Sequence, residues 1–200
     1  ISGVLTEMFY DLSGRLNSIT ATNGQSLNIF YDNLSRVSKY KWSLGTSGYM
    51  FGYNYGQSNI RGKYTNVIYG VSLNNKERLT YTYDSLLRRT ARIINTNTKF
   101  VTSYAYEDLD GNATTTRIKS ITNGTNALSY DYDSLGNITA VYKNGSIYES
   151  YEYDALSQLV KVTRGNDEFV YTYDNGGNIQ SVKKNGEVIK SYAYGDSEWK

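Results

Sequence analysis

A Tyr-Asp pair returns along this chain at a steady interval. The full pairs are Tyr10-Asp11, Tyr31-Asp32, Tyr83-Asp84, Tyr132-Asp133, Tyr153-Asp154 and Tyr173-Asp174, with degenerate members at Tyr55-Gly56, Tyr106-Glu107 and Tyr194-Gly195. Successive units lie about 20 to 28 residues apart, which is the spacing of stacked structural repeats. A catalytic residue is needed once, whereas a structural residue is needed in every repeat. The pattern therefore predicts a repeat protein.

The residues after each Asp also follow a pattern. The third place is Gly or Ser in most units, namely Gly14, Ser35, Gly136, Ser157 and Gly177. The fourth place is Arg, Asn or Gln, namely Arg15, Arg36, Asn137, Gln158 and Asn178. Apolar residues occupy the fifth and eighth places in most units: Leu16 and Ile19, Ile138 and Val141, Leu159 and Val162, Ile179 and Val182.

Each unit is typical of a β-hairpin. Alternating tyrosines such as Tyr151 and Tyr153 lie on one face of a strand. The Asp accepts backbone N–H bonds at the start of a tight turn, and the Gly three places later takes a positive φ. A second turn is predicted at Asn144-Gly145 and Asn185-Gly186, and Asn23-Gly24 and Asn123-Gly124 hold the corresponding places. The chain has no Pro, which suits strands that pair throughout, so we expect almost no helix.

The stretches "YDLSGRL" from Tyr10, "YDSLGNI" from Tyr132 and "YDNGGNI" from Tyr173 resemble the YD repeat of RHS proteins. This family includes bacterial RHS and wall-associated proteins, shell subunits of Tc toxins and animal teneurins. The resemblance covers nearly the whole chain. It implies an all-β fold in which tandem YD-repeat hairpins form one curved, spiralling antiparallel sheet, an open segment of an RHS shell.

The resemblance also implies a role. Residues 1–200 are interpreted as one RHS/YD-repeat segment of a longer protein, with irregular, degenerate repeats at residues 42–80. The segment would form part of a β-shell that encloses or presents a C-terminal toxin or effector domain outside this chain. It would be structural, without enzymatic activity, and would come from a bacterial protein that is secreted or associated with the cell surface or cell wall.

The expected partners are the neighbouring repeats of the full-length protein and the encapsulated domain. A spiral sheet that is cut at both ends leaves unpaired backbone groups on its end strands. We therefore expect edge-to-edge self-association, with the start Val4 to Asp11 and the end Ser191 to Asp196 as the edges.

Composition narrows the remaining alternatives. A chain of 200 residues that is 39% hydrophobic is large enough to bury a substantial core as one or two compact domains. A net charge of +2, with dispersed charges, argues against nucleic acid and anionic membranes as partners. The absence of His and Cys removes the commonest bases, nucleophiles and metal ligands, so we expect neither a cofactor nor a metal site. The chain also lacks an apolar run long enough to span a membrane.

Two groups of carboxylates suggest chemistry that the sequence does not support. Asp108, Asp110 and Asn112 resemble the start of a calcium loop, but Ala113 and Lys119 stand where an EF-hand needs Gly and an acid. Paired carboxylates are also typical of glycosidases. A repeated Asp in a repeated turn is better explained by turn chemistry, so we predict no catalytic residue.

Two units depart from the pattern. The stretch from Arg117 to Thr122 realigns with Arg15 to Thr20, which predicts inserted loop residues in the unit that begins at Tyr106. In the unit from Tyr83, Arg89 and Arg92 occupy the usual apolar places. There we expect a shift of strand register, because two buried charges would be costly.

A carbohydrate-binding or cell-wall-binding repeat module is the alternative function. The stretch from Trp42 to Tyr64 is rich in aromatic residues and glycines, and aromatic faces stack on sugars. Such binding repeats typically carry a Trp in every unit, but this chain has two Trp in total. The sequence therefore favours the shell, in which the tyrosines pack the sheet as core residues.

Overall fold

A computed structural model describes residues 4–57, 64–109 and 113–194 of the chain. Every regular element among these residues is a β-strand, and none of them is helical. The chain divides into two compact units, Ile1–Thr102 and Ser103–Lys200. The strand content of these residues agrees with a sequence that has no Pro and many alternating aromatic residues.

Seventeen strands follow one another along the chain. The strands that begin in the first unit are β1 Thr6–Tyr10, β2 Leu16–Ala21, β3 Gln25–Tyr31, β4 Val37–Leu44, β5 Ser47–Gln57, β6 Tyr64–Leu73, β7 Lys76–Tyr83, β8 Arg89–Ile94 and β9 Phe100–Leu109. The second unit contains β10 Ala113–Asn123, β11 Asn126–Tyr132, β12 Ile138–Lys143, β13 Ser146–Tyr153, β14 Leu159–Arg164, β15 Asp167–Tyr173, β16 Ile179–Lys184 and β17 Glu187–Ser191.

Consecutive strands pair with each other in antiparallel fashion. This holds from β1 to β8 in the first unit and from β10 to β17 in the second. Each unit is therefore a meander in which every hairpin shares a strand with the next. The predicted fold class, an all-β chain of tandem antiparallel hairpins, is confirmed.

The Tyr-Asp turns share one backbone geometry. In the turn from Asp11, the Gly14 amide donates to the Asp11 carbonyl and the Asp11 amide donates to the Arg15 carbonyl. Gly14 has φ +76°, which confirms the predicted role of this glycine. This is a type I turn closed by a left-handed residue, and the strand that leaves it carries a bulge, since Asn17 is unpaired between Leu16 and Ser18. The same register shift precedes Tyr10, Tyr31, Tyr83, Tyr132, Tyr153 and Tyr173.

The opposite ends of the hairpins use shorter turns. Asn144-Gly145 and Asn185-Gly186 form two-residue turns in which both residues have positive φ, as predicted. The other two Asn-Gly pairs differ. Asn123 pairs with Asn126 at the end of the ladder, so the turn itself begins at Gly124. At Gly24 the amide donates to the Ala21 carbonyl, which makes the turn one residue longer.

Strand pairing in the second unit places tyrosines opposite the eighth-place valines. The pairs are Tyr130 with Val141, Tyr151 with Val162, and Tyr171 with Val182. We call the surface that carries these pairs the tyrosine face. The other face carries polar pairs, as where Lys161 forms ion pairs with Glu152 and Glu168. Successive side chains of a strand point to opposite faces of the sheet, and this accounts for the alternation of apolar and polar residues in the sequence.

The expectation that the tyrosines are core residues is wrong for the part of the chain that the structure describes. Only Ala140 and Val182 are buried apolar side chains there, each 8% exposed. The Tyr-Asp tyrosines from Tyr31 to Tyr173 are half-buried rather than enclosed. The physical reason is that the strands form a meander and each is covered mainly by its neighbours within the sheet, so most side chains keep one side open to solvent.

The register shift expected at Arg89 and Arg92 is also wrong. Tyr83 pairs with Arg89 and Tyr81 pairs with Arg92, which matches the pairing of Tyr132 with Ile138 and Tyr130 with Val141 in the second unit. The shift is unnecessary because neither arginine is a fully buried residue. Arg89 is exposed and lies 4.7 Å from the centre of the Tyr81 ring, and Arg92 is half-buried beside Thr102.

The stretch at residues 42–80 contains the long strands β5 and β6, with 11 and 10 residues. Their pairing has irregularities at Asn54/Tyr55 and Tyr55/Gln57. Residues 58–63, which include part of the aromatic-rich segment, lie outside the described residues.

Leu87 offers a test of the turn geometry. It occupies the third place after Asp84 with φ +62°, a conformation that disfavours an L-residue with a bulky side chain. We predict that Leu87→Gly raises the free energy of unfolding by about 1 kcal/mol in chemical denaturation.

Leu86 is the matched control, because it is a neighbouring exposed leucine that is absent from the residues with positive φ. Leu86→Gly should lower stability, since glycine gains nothing there and increases the entropy of the unfolded chain. A destabilising Leu87→Gly would contradict the assigned turn.

Candidate functional site

The Asp of a Tyr-Asp turn organises its own turn, and in all full pairs but Asp154 the described bonds use both carboxylate oxygens. Asp11 Oδ1 accepts the amides of Ser13 and Arg15, each at 2.9 Å. Its Oδ2 accepts Arg15 Nε at 2.7 Å. Asp32 and Asp84 make the same three kinds of bond with their own turns. The acid therefore satisfies turn amides that no strand partner reaches.

The identity of the fourth residue follows from this geometry. In the second unit, Asn137 Nδ2 donates to Asp133 Oδ2 at 2.8 Å, and Asn178 Nδ2 donates to Asp174 Oδ2 at 3.0 Å. Arg and Asn share a side-chain N–H that reaches back to the Asp four residues earlier. Gln158 keeps the backbone bond, from its amide to Asp154 Oδ1.

The hydrogen bonds also explain the acidity of these groups. The side-chain bond from Arg15 lowers the pKa of Asp11, and the bonds from Asn137 and Asn178 lower those of Asp133 and Asp174. Each bond stabilises the ionised carboxylate more than the protonated acid.

In seven of the nine units, the Tyr connects its repeat to the preceding one. Its hydroxyl donates to a backbone carbonyl near the start of the neighbouring strand. Where the earlier unit has the Asp, this carbonyl belongs to the fifth residue after it, as Leu16 follows Asp11. We call this bond the tyrosine clip. The clips are Tyr31 to Leu16, Tyr55 to Val37, Tyr83 to Ile68, Tyr132 to Ile118, Tyr153 to Ile138, Tyr173 to Leu159 and Tyr194 to Ile179, with oxygen–oxygen distances of 2.7 to 3.0 Å.

Fourth-place side chains add further contacts between repeats. The Arg15 guanidinium lies 4.3 Å from the centre of the Tyr31 ring, and its Nη1 donates to Ser35 Oγ at 2.8 Å. Arg36 lies 4.2 Å from the Tyr55 ring in the same way. In the second unit, Asn137 Nδ2 lies 3.2 Å from Ser157 Oγ. A single fourth-place side chain thus contacts both its own turn and the next repeat.

The degenerate unit at Tyr106-Glu107 keeps this arrangement. Arg117 Nε forms an ion pair with Glu107 Oε2 at 2.7 Å, so Glu107 takes the place of the turn Asp. The Arg117 guanidinium lies 5.4 Å from the Tyr132 ring. The realignment of Arg117 with Arg15 fits this geometry, but the expected inserted loop is wrong for the described residues, because β9 continues to Leu109 and β10 begins at Ala113. The central part of the calcium-loop pattern, residues 110–112, lies outside the described residues.

The degenerate unit at Tyr55-Gly56 has a different cause. A Cβ atom on Gly56 would overlap the ring of Tyr69. The Tyr69 ring in turn packs at 4.9 Å from the Tyr83 ring. A side chain is excluded at the place where other units carry Asp, because an aromatic ring covers the backbone there.

The opposite ends of the hairpins hold a second set of bonds that the sequence did not predict. Asn144 Oδ1 accepts the Ala127 amide, and Asn185 Oδ1 accepts the Glu168 amide, each at 2.7 Å. Asn74 binds the Met50 amide in the same way at 2.8 Å. These asparagines therefore extend the ladder by one side-chain bond as well as adopting a positive φ. An Asn at the first position of the turn is the sequence signal that could have predicted these bonds.

Glu149 is a further buried polar group that sequence patterns missed. It lies on the tyrosine face, is 8% exposed, and receives bonds from the Tyr151 hydroxyl and the Arg164 guanidinium. Burial, together with the bond to Glu149, raises the pKa of Tyr151 to about 12. The charge of Glu149 is paired, as a buried carboxylate requires.

The predicted motif residues do not converge on one pocket. Each Asp accepts bonds within its own turn, and each clip joins neighbouring strands. Trp42 and Tyr49, from the proposed sugar platform, stack on each other with ring centres 6.1 Å apart. Within residues 4–57, 64–109 and 113–194, no three acidic side chains are grouped as metal ligands would be. The described part also has no helix long and apolar enough to cross a membrane.

Comparisons with known proteins agree with this geometry. The RHS repeat family matches residues 132–168, which run from the Tyr132-Asp133 turn into β15. The resemblance of the chain to RHS/YD-repeat proteins is thereby confirmed. No curated protein sequence matches the chain.

Solved structures extend the comparison of folds. The crystal structure of TcdB2-TccC3 superposes with a TM-score of 0.50 at 18% identity, over 90% of this chain. A Photorhabdus luminescens Tc holotoxin pore gives 0.48 at 19% identity, also over 90%. This chain spans 9% of the length of either protein. At this identity the TcdB2-TccC3 match supports the fold alone.

Removing one clip tests its contribution. Tyr153→Phe deletes the hydroxyl that donates to the Ile138 carbonyl and keeps the ring. We predict a loss of about 0.5–1.5 kcal/mol in the free energy of unfolding, measured by urea denaturation.

Tyr148→Phe is the control, because Tyr148 is exposed and its ring contact with Arg164 does not use the hydroxyl. This variant should change stability by less than about 0.5 kcal/mol. Equal effects of the two substitutions would argue against the clip.

The turn carboxylates predict an acid dependence of stability. Because the folded pKa values of Asp11, Asp133 and Asp174 lie below the ordinary 3.8, their stabilisation is present above that pH and is lost as pH falls through the lowered values. Carbon-detected NMR titration of the three carboxyls should give midpoints below 3.8. Midpoints at or above this value would show that the turn bonds do not favour the ionised form.

Proposed function

We propose that this chain is a structural segment of an RHS/YD-repeat protein, forming part of a β-shell. The shell encloses or presents a C-terminal toxin or effector domain that lies outside residues 1–200. Its partners are the neighbouring repeats of that protein and the enclosed domain. The parent protein is bacterial and acts outside the cell or at its surface.

The tyrosine clip is the observation that carries this proposal. The motif's Tyr, Asp and fourth-place residue bond to the chain's own turns and to adjacent strands, and seven of the nine units have a described clip. A motif used in this way extends a sheet by one hairpin at a time. The RHS repeat match at residues 132–168 and the fold shared with TcdB2-TccC3 support the same reading.

An enzymatic role for the repeated acids is not part of the proposal. Asp11, Asp32 and Asp84 each form an ion pair with the Arg of their own turn at 2.6–2.7 Å. A general acid or base must exchange a proton with a substrate. These carboxylates are instead held in the ionised form by donors of their own turns.

Limited proteolysis of the parent protein tests the enclosing role. We predict that its C-terminal domain resists protease in the intact protein. The domain should be cleaved rapidly when this segment is opened by combining Tyr132→Phe, Tyr153→Phe and Tyr173→Phe, which removes three successive clips.

A matched triple variant controls for the loss of tyrosine hydroxyls in general. Tyr49→Phe, Tyr148→Phe and Tyr192→Phe alter exposed tyrosines that make no clip, and should leave the resistance unchanged. A C-terminal domain that is cleaved equally fast in all three proteins would contradict the enclosing role. Circular dichroism would establish that each variant keeps its strands.

A further inference from the structure

The β4–β5 hairpin extends past the hairpin beside it. Strand β5 pairs with β4 from Ser47 onwards, but its pairing with β6 begins only at Phe51. Beyond that point the chain turns from β6 into β7 at Asn74 and Asn75, which both have positive φ. The first residues of β5, 47–49, therefore have a paired edge toward β4 and an open edge on the other side.

Gly48 turns its backbone N–H and C=O toward the open edge. Met50, two residues later, bonds in that direction, because its amide donates to Asn74 Oδ1 at 2.8 Å and its carbonyl accepts the Asn74 amide at 2.7 Å. Alternate residues of a strand send these groups to the same side, and the β4–β5 ladder has no register shift between Ser47 and Met50. The ladder described for β5 and β6 gives Gly48 no partner on that side.

A cavity of about 440 Å³ lies against this edge, which is within the size range of small-ligand sites. Its lining includes the side chains of Lys41, Ser43, Ser47 and Asn75 and the backbone of Gly48. No Asp or Glu is among its described lining residues. The cavity therefore combines hydrogen-bonding groups with one cation and a pair of backbone groups that a strand would normally bond.

The charge of this region is positive. None of the ion pairs in the described part of the chain uses Lys41, which is exposed. Residues 1–102 contain 12 Lys and Arg against 5 Asp and Glu, and 12 − 5 gives a formal charge of +7 for this unit. The net +2 of the whole chain conceals this excess. A ligand that carries a carboxylate complements the cavity.

Lys41 and Gly48 lie on the same face of the sheet. Lys41 pairs with Met50 and Ser43 pairs with Gly48, so these four positions share one face. A Cβ atom on Gly48 would come within 2.7 Å of the Trp42 carbonyl oxygen, which excludes a side chain there. Lys41 thus reaches across a glycine toward any residue that pairs with Gly48 from the open side.

We propose that this cavity binds an extended acidic peptide segment of another protein by strand addition to β5. One residue of the peptide pairs with Gly48 and exchanges both backbone hydrogen bonds with it, as in an antiparallel ladder. That residue is Asp or Glu, and its carboxylate lies on the face of Lys41 and pairs with the ammonium group. The site belongs to one unit of the chain and does not depend on the proposed shell.

The probe is the capped peptide acetyl-Thr-Val-Glu-Val-Thr-amide, added to the full 200-residue chain in a residue-resolved NMR titration. We expect saturable shifts of the Gly48 amide and of amides that line the cavity. Methylation of the Glu nitrogen of the peptide should weaken binding about tenfold, because this nitrogen donates to the Gly48 carbonyl. Methylation of the nitrogen of the preceding Val is the control, since that nitrogen faces away from β5, and it should change the affinity by less than about twofold.

Two variants of the chain locate the charge. Lys41→Met should weaken binding of the peptide about threefold, the size of an exposed ion pair. Lys39→Met is the control, because Lys39 is an exposed lysine on the same face of β4, opposite Gly52, and does not line the cavity. This variant should change the affinity by less than about 1.5-fold.

Four results would overturn the proposal. They are an absence of saturable shifts at Gly48, equal weakening by the two methylated peptides, equal effects of the two lysine variants, and the same saturable shifts with inorganic phosphate alone. None of these results bears on the protease resistance of an enclosed domain, so the proposed function is tested separately.

Discussion

The bond from a tyrosine hydroxyl to the carbonyl of the preceding repeat is the interaction on which the sheet depends. A sheet with few buried side chains gains little from a core, so neighbouring hairpins need specific contacts to stay in register. Each clip joins residues 14 to 18 positions apart and supplies about 0.5–1.5 kcal/mol. The contribution is small for one repeat, but it recurs in most of them, and the half-buried ring covers the strand beside it.

The clips act together with two kinds of turn. At one end of each hairpin, an Asp carboxylate binds its own turn and draws a fourth-place Arg or Asn into place. At the other end, asparagines such as Asn144 and Asn185 replace a missing ladder bond with a side-chain oxygen. Both kinds of turn contain residues with a positive φ. The turn geometry sets the strand register, and the register decides which face of the sheet each side chain occupies. The full Tyr-Asp turns of the first unit use Arg at the fourth place, whereas those of the second use Asn or Gln, so turn charge differs between them while turn geometry does not.

Much of this arrangement could be predicted from the sequence because its causes are local. The period-two tyrosines, the Asp turn and the positive φ of Gly14 follow from residues within one hairpin. The acceptor of each tyrosine hydroxyl lies one hairpin away, so no local pattern identifies it. The expected register shift at Arg89 was wrong because the rule assumed a buried site, and this sheet leaves that position exposed. Glu149 was missed for a related reason, since its partner Arg164 lies on the next strand and follows no repeat.

Hydrogen exchange in Tyr173→Phe would test the central claim most directly. The Tyr173 hydroxyl holds the Leu159 carbonyl, so the clip links Tyr173 to the turn of the preceding repeat rather than to its own. The account predicts faster amide exchange in the preceding turn and strand start, residues 154–159, with little change in the turn at residues 174–178. Faster exchange confined to residues 174–178, or an equal increase throughout the second unit, would show that the clip does not couple adjacent repeats.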